Sequence, residues 1–254
     1  MTATRMRLFG ISFSPWTEKA RWALDHHRHD YRFEEYQPGV GELRLRALMR
    51  QPTGRVTVPV LKDDRWYTDS FDIARHADRR GSGARLLPEE RLGELKAWNA
   101  RSEAALAAGR AMLLLKSAGD PRLLKGVLPR GVPAALHPLL IPVARQGLKS
   151  LIKKYRMREE EGQHERRLLE ALDTLATAVS PERTYLLGEF SYADIAMAVA
   201  LGSVSPVGEP FMPVGLGGRE VIENRELAAR YPGLLKWRDT IYAKHRRRAE
   251  ERPS

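Results

Sequence analysis

The chain has no cysteine. Disulfides, thiolate metal ligands and every mechanism that needs an enzyme-borne sulfur nucleophile are therefore excluded. It also lacks any apolar run near the roughly 20 residues that a spanning helix requires, and its first residues lack the apolar core of a signal peptide. A cytoplasmic protein is the expectation. Acids are scarce in one place: between Arg110 and Arg158 a single acid, Asp120, stands against eleven lysines and arginines, while the rest of the chain is nearly neutral despite a formal charge of +11. Aromatic residues are only 7% of the total, and the basic stretch lacks the aromatic interleaving of a nucleic-acid groove, so no nucleic-acid partner is expected. No His-Glu-x-x-His or comparable ligand spacing occurs, and no metal is expected. His26, His27 and His29 cluster at the end of the first helix, where imidazolium suits the negative end of the helix dipole.

What is present is enough for one large domain or two modest ones, each with its own core: 254 residues, 43% of them hydrophobic. The first eighty residues alternate in character. Met6 to Ile11 is a short apolar strand, Thr17 to His26 has helical spacing, and Tyr31 to Tyr36 alternates aromatic with charged as a half-buried strand does. Gly41 to Met49 reads as a helix, Val56 to Leu61 as a β-branched strand, Arg65 to Thr68 as its hairpin partner, and Ser70 to Arg79 as a helix. The order βαβαββα is that of a thioredoxin-like α/β domain. A linker, Gly81-Ser82-Gly83 followed by Leu87-Pro88-Glu89-Glu90, divides residues 1–83 from 84–254. Beyond it the signals are all helical: Arg91 to Leu115, Val143 to Val179, Ser191 to Leu201, and Leu227 to His245. The basic cluster Lys244 to Arg248 reads as the frayed end of the last helix and a disordered tail.

Three places carry chemistry. Ser14-Pro15 lies where the first strand hands over to the first helix; proline at the first helical position and Glu18 in the first turn fit a helix start. No Asp/His relay or Gly-x-Ser-x-Gly elbow accompanies Ser14, so it is a poor nucleophile but a good hydrogen-bond donor to a thiolate. Ser12 and Thr17 offer hydroxyls on the same turn. In Thr57-Val58-Pro59-Val60-Leu61 a proline interrupts a good strand. Either a cis Val58-Pro59 peptide leaves Val58's backbone groups facing outward, or this is an edge strand with an ordinary trans proline. Asp69-Ser70 opens the next helix, with Ser70 as N-cap, free N–H groups that suit a carboxylate, and Asp69 placed to hold an ammonium.

Together with an all-helical second half, these features resemble a serine-type cytosolic glutathione S-transferase. The segment Tyr185-Leu186-Leu187-Gly188-Glu189-Phe190-Ser191-Tyr192-Ala193-Asp194 is similar to that family's most recognisable C-terminal motif. Physically it is a helix start: Ser191 and Asp194 are spaced as a capping box, and Phe190 and Ile195 as a hydrophobic staple. The resemblance implies that Ser14, or alternatively Ser12 or Thr17, hydrogen-bonds the sulfur of glutathione. It implies that Val58, ahead of Pro59, pairs with the cysteinyl backbone, and that Asp69 and Ser70 bind the γ-glutamyl end. Glutathione is then a co-substrate, attacking a small apolar electrophile held by the helical domain of a detoxifying homodimer. Arg55 and Lys62 are further candidates for the glycyl carboxylate. Because fold does not dictate function, two other classes stay open. One is a non-catalytic binding or scaffold protein, and the other a glutathione-dependent peroxidase, etherase or isomerase.

Residues 119–156 depart from that family. Five prolines, at 121, 129, 133, 138 and 142, preclude a continuous helix before Val143. From there Leu148, Leu151, Ile152 and Tyr155 share one face, and Arg145, Lys149, Lys153, Lys154 and Arg156 lie mostly on the other. Such a helix packs on its own domain with a solvated basic face, makes peripheral contact with an anionic membrane surface, or forms a lid over the electrophile site that favours acidic or bulky substrates.

Overall fold

Gly10 ends the first strand because the helix that follows returns directly onto it. A β-carbon at Gly10 would lie 2.5 Å from Thr17 Cγ2, so no larger residue fits without shifting the helix. The computed structural model describes residues 5–37, 40–54, 56–119, 133, 137–208, 210–213 and 218–247. Strands β1 (Met6–Gly10), β2 (Tyr31–Glu35), β3 (Val60–Lys62) and β4 (Trp66–Tyr67) form one sheet in the order β2-β1-β3-β4. β1 pairs parallel to β2, with Met6 opposite Tyr31, and antiparallel to β3, with Leu8 opposite Leu61; β4 pairs antiparallel to β3. Helices α1 (Pro15–His26), α2 (Val40–Met49) and α3 (Ser70–Arg80) complete the βαβαββα order read from the sequence. β3 is shorter than the predicted Val56 to Leu61, because Pro59 has no N–H to give the ladder.

The helical half comprises α4 (Leu92–Gly119), α5 (His137–Lys154), α6 (Glu161–Ala178), α7 (Tyr192–Ala200), α8 (Arg219–Ile222), α9 (Arg225–Arg230) and α10 (Pro232–His245). Every residue of α7 is buried, as its sequence, apolar but for Asp194, requires. Its start is the predicted capping box: Asp194 Oδ2 accepts from Ser191 N at 2.9 Å, and Asp194 Oδ1 accepts from Leu186 N at 2.8 Å. Burial pushes the Asp194 carboxyl up to about 6 against the pull of these donors. The core runs without a break from Leu8, Trp22 and Ile73 to Leu95, Leu106, Tyr192 and Ile241. No helix among the described residues is long and apolar enough to cross a membrane.

Several elements differ from their sequence readings. α5 begins at His137 rather than Val143, with Pro142 inside it. Pro138 stands in the first turn, where a missing N–H costs nothing, and Pro142 removes a single bond. The predicted continuous helix to Val179 is broken after Lys154: Arg156 takes a left-handed φ of 52°, and Met157 N donates back to Ile152 O at 3.1 Å. Leu148 and Ile152 pack with Ala111 of α4 and Met157, while Arg145, Lys149, Lys153 and Lys154 are exposed. Pro121 and Pro129 lie outside the described residues. Two of the three histidines near the end of α1, His26 and His29, are disfavoured as imidazolium caps. His26 Nε2 bonds Ala84 O at 3.0 Å and His29 Nε2 bonds Ala77 O at 2.9 Å, and burial lowers the pKa of both. His27 Nδ1 bonds Ser82 O at 3.0 Å and its Nε2 lies 3.1 Å from Asp78 Oδ1, so His26 and His27 fasten the linker to the end of α1, and His29 bonds α3.

The largest correction concerns the C-terminal basic cluster. Arg246 is fully buried rather than frayed: its Nε and Nη2 donate to Glu18 at 2.6 and 3.1 Å, and its Nη1 donates to Asp25 Oδ2 at 2.6 Å. Trp22 Nε1 donates to His245 O at 3.2 Å just before it. His245 stacks on Phe190 with ring centroids 3.7 Å apart and shares a 2.9 Å hydrogen bond with the Tyr185 hydroxyl. Burial, aided by Lys244 and His26, lowers its pKa to about 4.

Two predictions follow from this clasp. Arg246→Ala leaves two carboxylates buried and uncompensated and lowers the unfolding free energy by about 3–5 kcal/mol. Arg5→Ala, which breaks an exposed pair with Asp30, changes it little; urea midpoints at constant slope read both. Because the folded His245 resists protonation, its contribution is complete above about pH 6.5 and is lost as pH falls toward about 4. The raised carboxyl of Asp194 acts in the opposite sense between about 6 and 4 but is common to wild type and His245→Phe. The stability difference between these two proteins, measured across that range, therefore shifts against wild type as pH falls.

Candidate functional site

The strand directions bring the predicted site residues to one end of the sheet. β1 and β2 run toward that end in parallel; β3, antiparallel to β1, starts there; β4, antiparallel to β3, returns there. Ser14 follows β1, Val58 and Pro59 precede β3, and Asp69 and Ser70 follow β4, so all three segments share this end.

Ser14 is the N-cap of α1, with extended backbone (φ −80°, ψ 127°) and Pro15 at the first helical position. Its backbone is engaged on both sides: N donates to Ile11 O and O accepts from Glu18 N, each at 2.9 Å. Its half-buried hydroxyl makes no capping bond. Glu18 does not serve the helix terminus, since both its oxygens belong to Arg246. Ser12 is also half-buried, and its backbone N donates to Glu35 Oε1 at 3.0 Å. Thr17 is different. It has no exposed surface, and its Oγ1 accepts from Ile11 N at 3.2 Å, sealing the junction between β1 and α1.

The Val58-Pro59 peptide is cis, with Pro59 buried, Val58 half-buried and both outside the β3 ladder. Asp69, not Ser70, is the N-cap of α3: its Oδ1 accepts from Phe71 N at 2.8 Å. A carboxylate is the better acceptor for a helix-end N–H, and it takes the cap one residue earlier than the sequence reading placed it. Ser70 is then the first helical residue, 2% exposed, and its hydroxyl makes no bond to its own helix and faces the equally buried hydroxyl of Tyr192. Arg55 lies outside the described residues, and Lys62 Nζ lies 5.6 Å from the Trp66 ring.

Around these residues the structure adds side chains that the sequence did not single out. Lys19 has no exposed surface; its Nζ donates to Glu103 Oε1 and, at 3.3 Å, to Asn99 Oδ1, both on α4. Burial lowers the Lys19 pKa, while the charges of Glu103 and Asp69 oppose that shift. Glu103 Oε2 also accepts from Trp16 Nε1 at 2.6 Å. Arg110, seven residues further along α4, places its guanidinium carbon 4.7 Å from the Trp16 ring and 4.1 Å from the Tyr155 ring. The signal for them was the spacing of 99, 103 and 110, one stripe of a helix otherwise rich in Ala and Leu. Among the described residues, one group has metal-like proximity, Asp63, Asp64 and His76. Asp63 Oδ2 is already bonded to His76 Nε2 at 2.8 Å and Arg80 Nη1 at 3.0 Å.

Comparison with known proteins agrees with this architecture. A glutathione transferase from Phanerochaete chrysosporium is 18% identical, aligned over 97% of this chain and 100% of its own, with a TM-score of 0.66. One from Methylobacterium radiotolerans, solved in complex with glutathione sulfonate, is 18% identical over 95% and 92% of the two chains, with a TM-score of 0.59. One from Methylobacillus flagellatus, solved with glutathione bound, is 17% identical over 94% and 95%, with a TM-score of 0.55. At these identities the likeness shows the fold. No curated protein sequence matches the chain. Models of the N-terminal and C-terminal domains of glutathione S-transferase match residues 8–85 and 134–240, and with both domains matched the chain belongs to the glutathione S-transferase superfamily.

Proposed function

We propose that the protein is a glutathione transferase in which Ser14 donates a hydrogen bond to the sulfur of glutathione and holds it as thiolate for attack on a largely apolar electrophile. The observation that carries this reading is the Ser14 hydroxyl itself. It stands at the positive end of α1 and makes no bond to its own helix. Thr17 has no exposed surface to meet a ligand, so the choice lies between Ser14 and Ser12, and only Ser14 stands at the N-cap of the helix. Val58 offers its backbone to the cysteinyl residue ahead of Pro59. Asp69 receives the γ-glutamyl ammonium, and the Ser70 hydroxyl with the first N–H groups of α3 receives its carboxylate.

The magnitudes suffice. A hydrogen bond to a charged acceptor is worth about 1.5–3 kcal/mol, or about one to two pKa units, and a helix terminus adds about 0.3–1 kcal/mol. A thiol of ordinary pKa, about 8.5, is then brought to about 5.5–7, so that about half or more of it is thiolate at neutral pH. Catalysis consists of this stabilisation plus positioning, with no covalent bond to the protein.

Ser14→Ala is expected to lower kcat for a chlorinated nitroaromatic about tenfold or more. It should also move the acid limb of the pH profile up by about one to two units, with the KM for glutathione within about twofold. Ser12→Ala should leave the profile in place. A protein that is not retained on immobilised glutathione and binds none at millimolar concentration would refute the proposal, and a shift produced by Ser12→Ala alone would move the role to Ser12.

A further inference from the structure

α5 packs with one side and leaves the other to solvent. Leu148 and Ile152 are buried with Ala111 of α4 and Met157. On the opposite arc of the helix stand Leu139, Pro142, Val143, Gln146, Lys149 and Lys153, all exposed. The arc is divided along its length. Its N-terminal part is apolar, with Leu139 and Val143 exposed by 72% and 66%. Its C-terminal part is basic, with Arg145 and Lys154 exposed on either flank of the two lysines. α5 has no acid of its own. Of the acids around its C-terminal end, Glu42 is shared by Arg46 and Lys154, Glu159 is paired with Arg156, and Glu160 with Arg167. Leu139 and Lys153 are about 21 Å apart at 1.5 Å per residue. An apolar end and a basic end on one exposed arc match a bilayer interface, where acyl chains lie beneath a layer of phosphates.

We propose that this arc of α5 is a docking surface for an anionic lipid bilayer, with Leu139, Pro142 and Val143 entering the acyl boundary and Lys149 and Lys153 meeting the lipid phosphates. Lysine suits a fluid array of phosphates, because an ammonium is a point charge that needs no fixed partner geometry. Its long stem also keeps the charge at the phosphate level while the apolar end of the helix dips in. Three apolar side chains without a groove are too few to hold a stable protein partner, which covers roughly 800 Å² on each side. The arc carries no aromatic ring on which bases could stack. The contact is peripheral and reversible, and it stands independently of the glutathione reading.

The test mixes the full-length protein with vesicles of phosphatidylcholine, alone or with phosphatidylserine added. The partition coefficient is expected to be about tenfold or more higher on the mixed vesicles and to fall as salt rises. Lys149→Glu with Lys153→Glu should remove most of that gain. Leu139→Ser with Val143→Ser should weaken binding to the mixed vesicles about tenfold or more. Because the chain has no cysteine, an environment-sensitive dye on Val143→Cys reports that position alone. Its emission should move to the blue on the mixed vesicles, while the same dye on Thr240→Cys, exposed on α10, stays in place. Soluble glycerol phosphate should not compete. Binding that does not depend on phosphatidylserine, binding that survives both double substitutions, or a dye at position 143 that stays in water while the protein is bound overturns the inference. So does binding to heparin that exceeds binding to the mixed vesicles and ignores the apolar pair, which would make the partner a soluble polyanion.

Discussion

Three charges with almost no exposed surface sit on one short helix, and the site depends on how they are neutralised. Glu18 and Asp25 of α1 are answered by Arg246, from beyond the last helix, and Lys19 by Glu103 of α4. Hydrophobic residues of the same size would stabilise the fold as well or better, because desolvating paired charges offsets most of their attraction. What the charges impose is register. α1 cannot rotate or slide without stranding a buried ion, so its N-terminus, with Ser14 and Trp16, is held relative to both halves of the chain.

That constraint explains why the site needs so few groups. Two helix termini, those of α1 and α3, point at one end of the sheet, each with a serine hydroxyl that has no bond to its own helix. The remaining hydroxyl on the first turn, Thr17, is fully buried and accepts from Ile11 N, holding α1 against β1. α4 forms the opposite wall. Its acceptors, Asn99 and Glu103, stand over Lys19, and Arg110 lies against the rings of Trp16 and Tyr155.

Local features were legible in the sequence because they are written in adjacent residues. The βαβαββα order follows from periodicity, the α7 start from Ser191 and Asp194, and the proline ahead of β3 from its conflict with the strand around it. Arg246 was not legible. It stands in a run of basic residues that has the composition of a solvated tail, and its partner Glu18 is 228 positions away. Lys19 and Asp25 carried no signal of burial either, and Glu18 read only as a helix-start acid; it is the arrival of α4 and the C-terminus that covers them. α5 was misread for a different reason: proline is costly in a helix interior, but Pro138 falls in the first turn and Pro142 forfeits only one bond. The exchange of cap between Asp69 and Ser70 is a one-residue matter that composition cannot settle when both are good caps.

A crystal structure of the protein with glutathione bound tests the central claim most directly. The account predicts the sulfur within hydrogen-bond distance of Ser14 Oγ, the γ-glutamyl carboxylate on Ser70 at the start of α3, and α1 in its present register with Lys19 and Arg246 still paired. A sulfur resting on Ser12, or a tripeptide seated away from the N-terminus of α1, would contradict it.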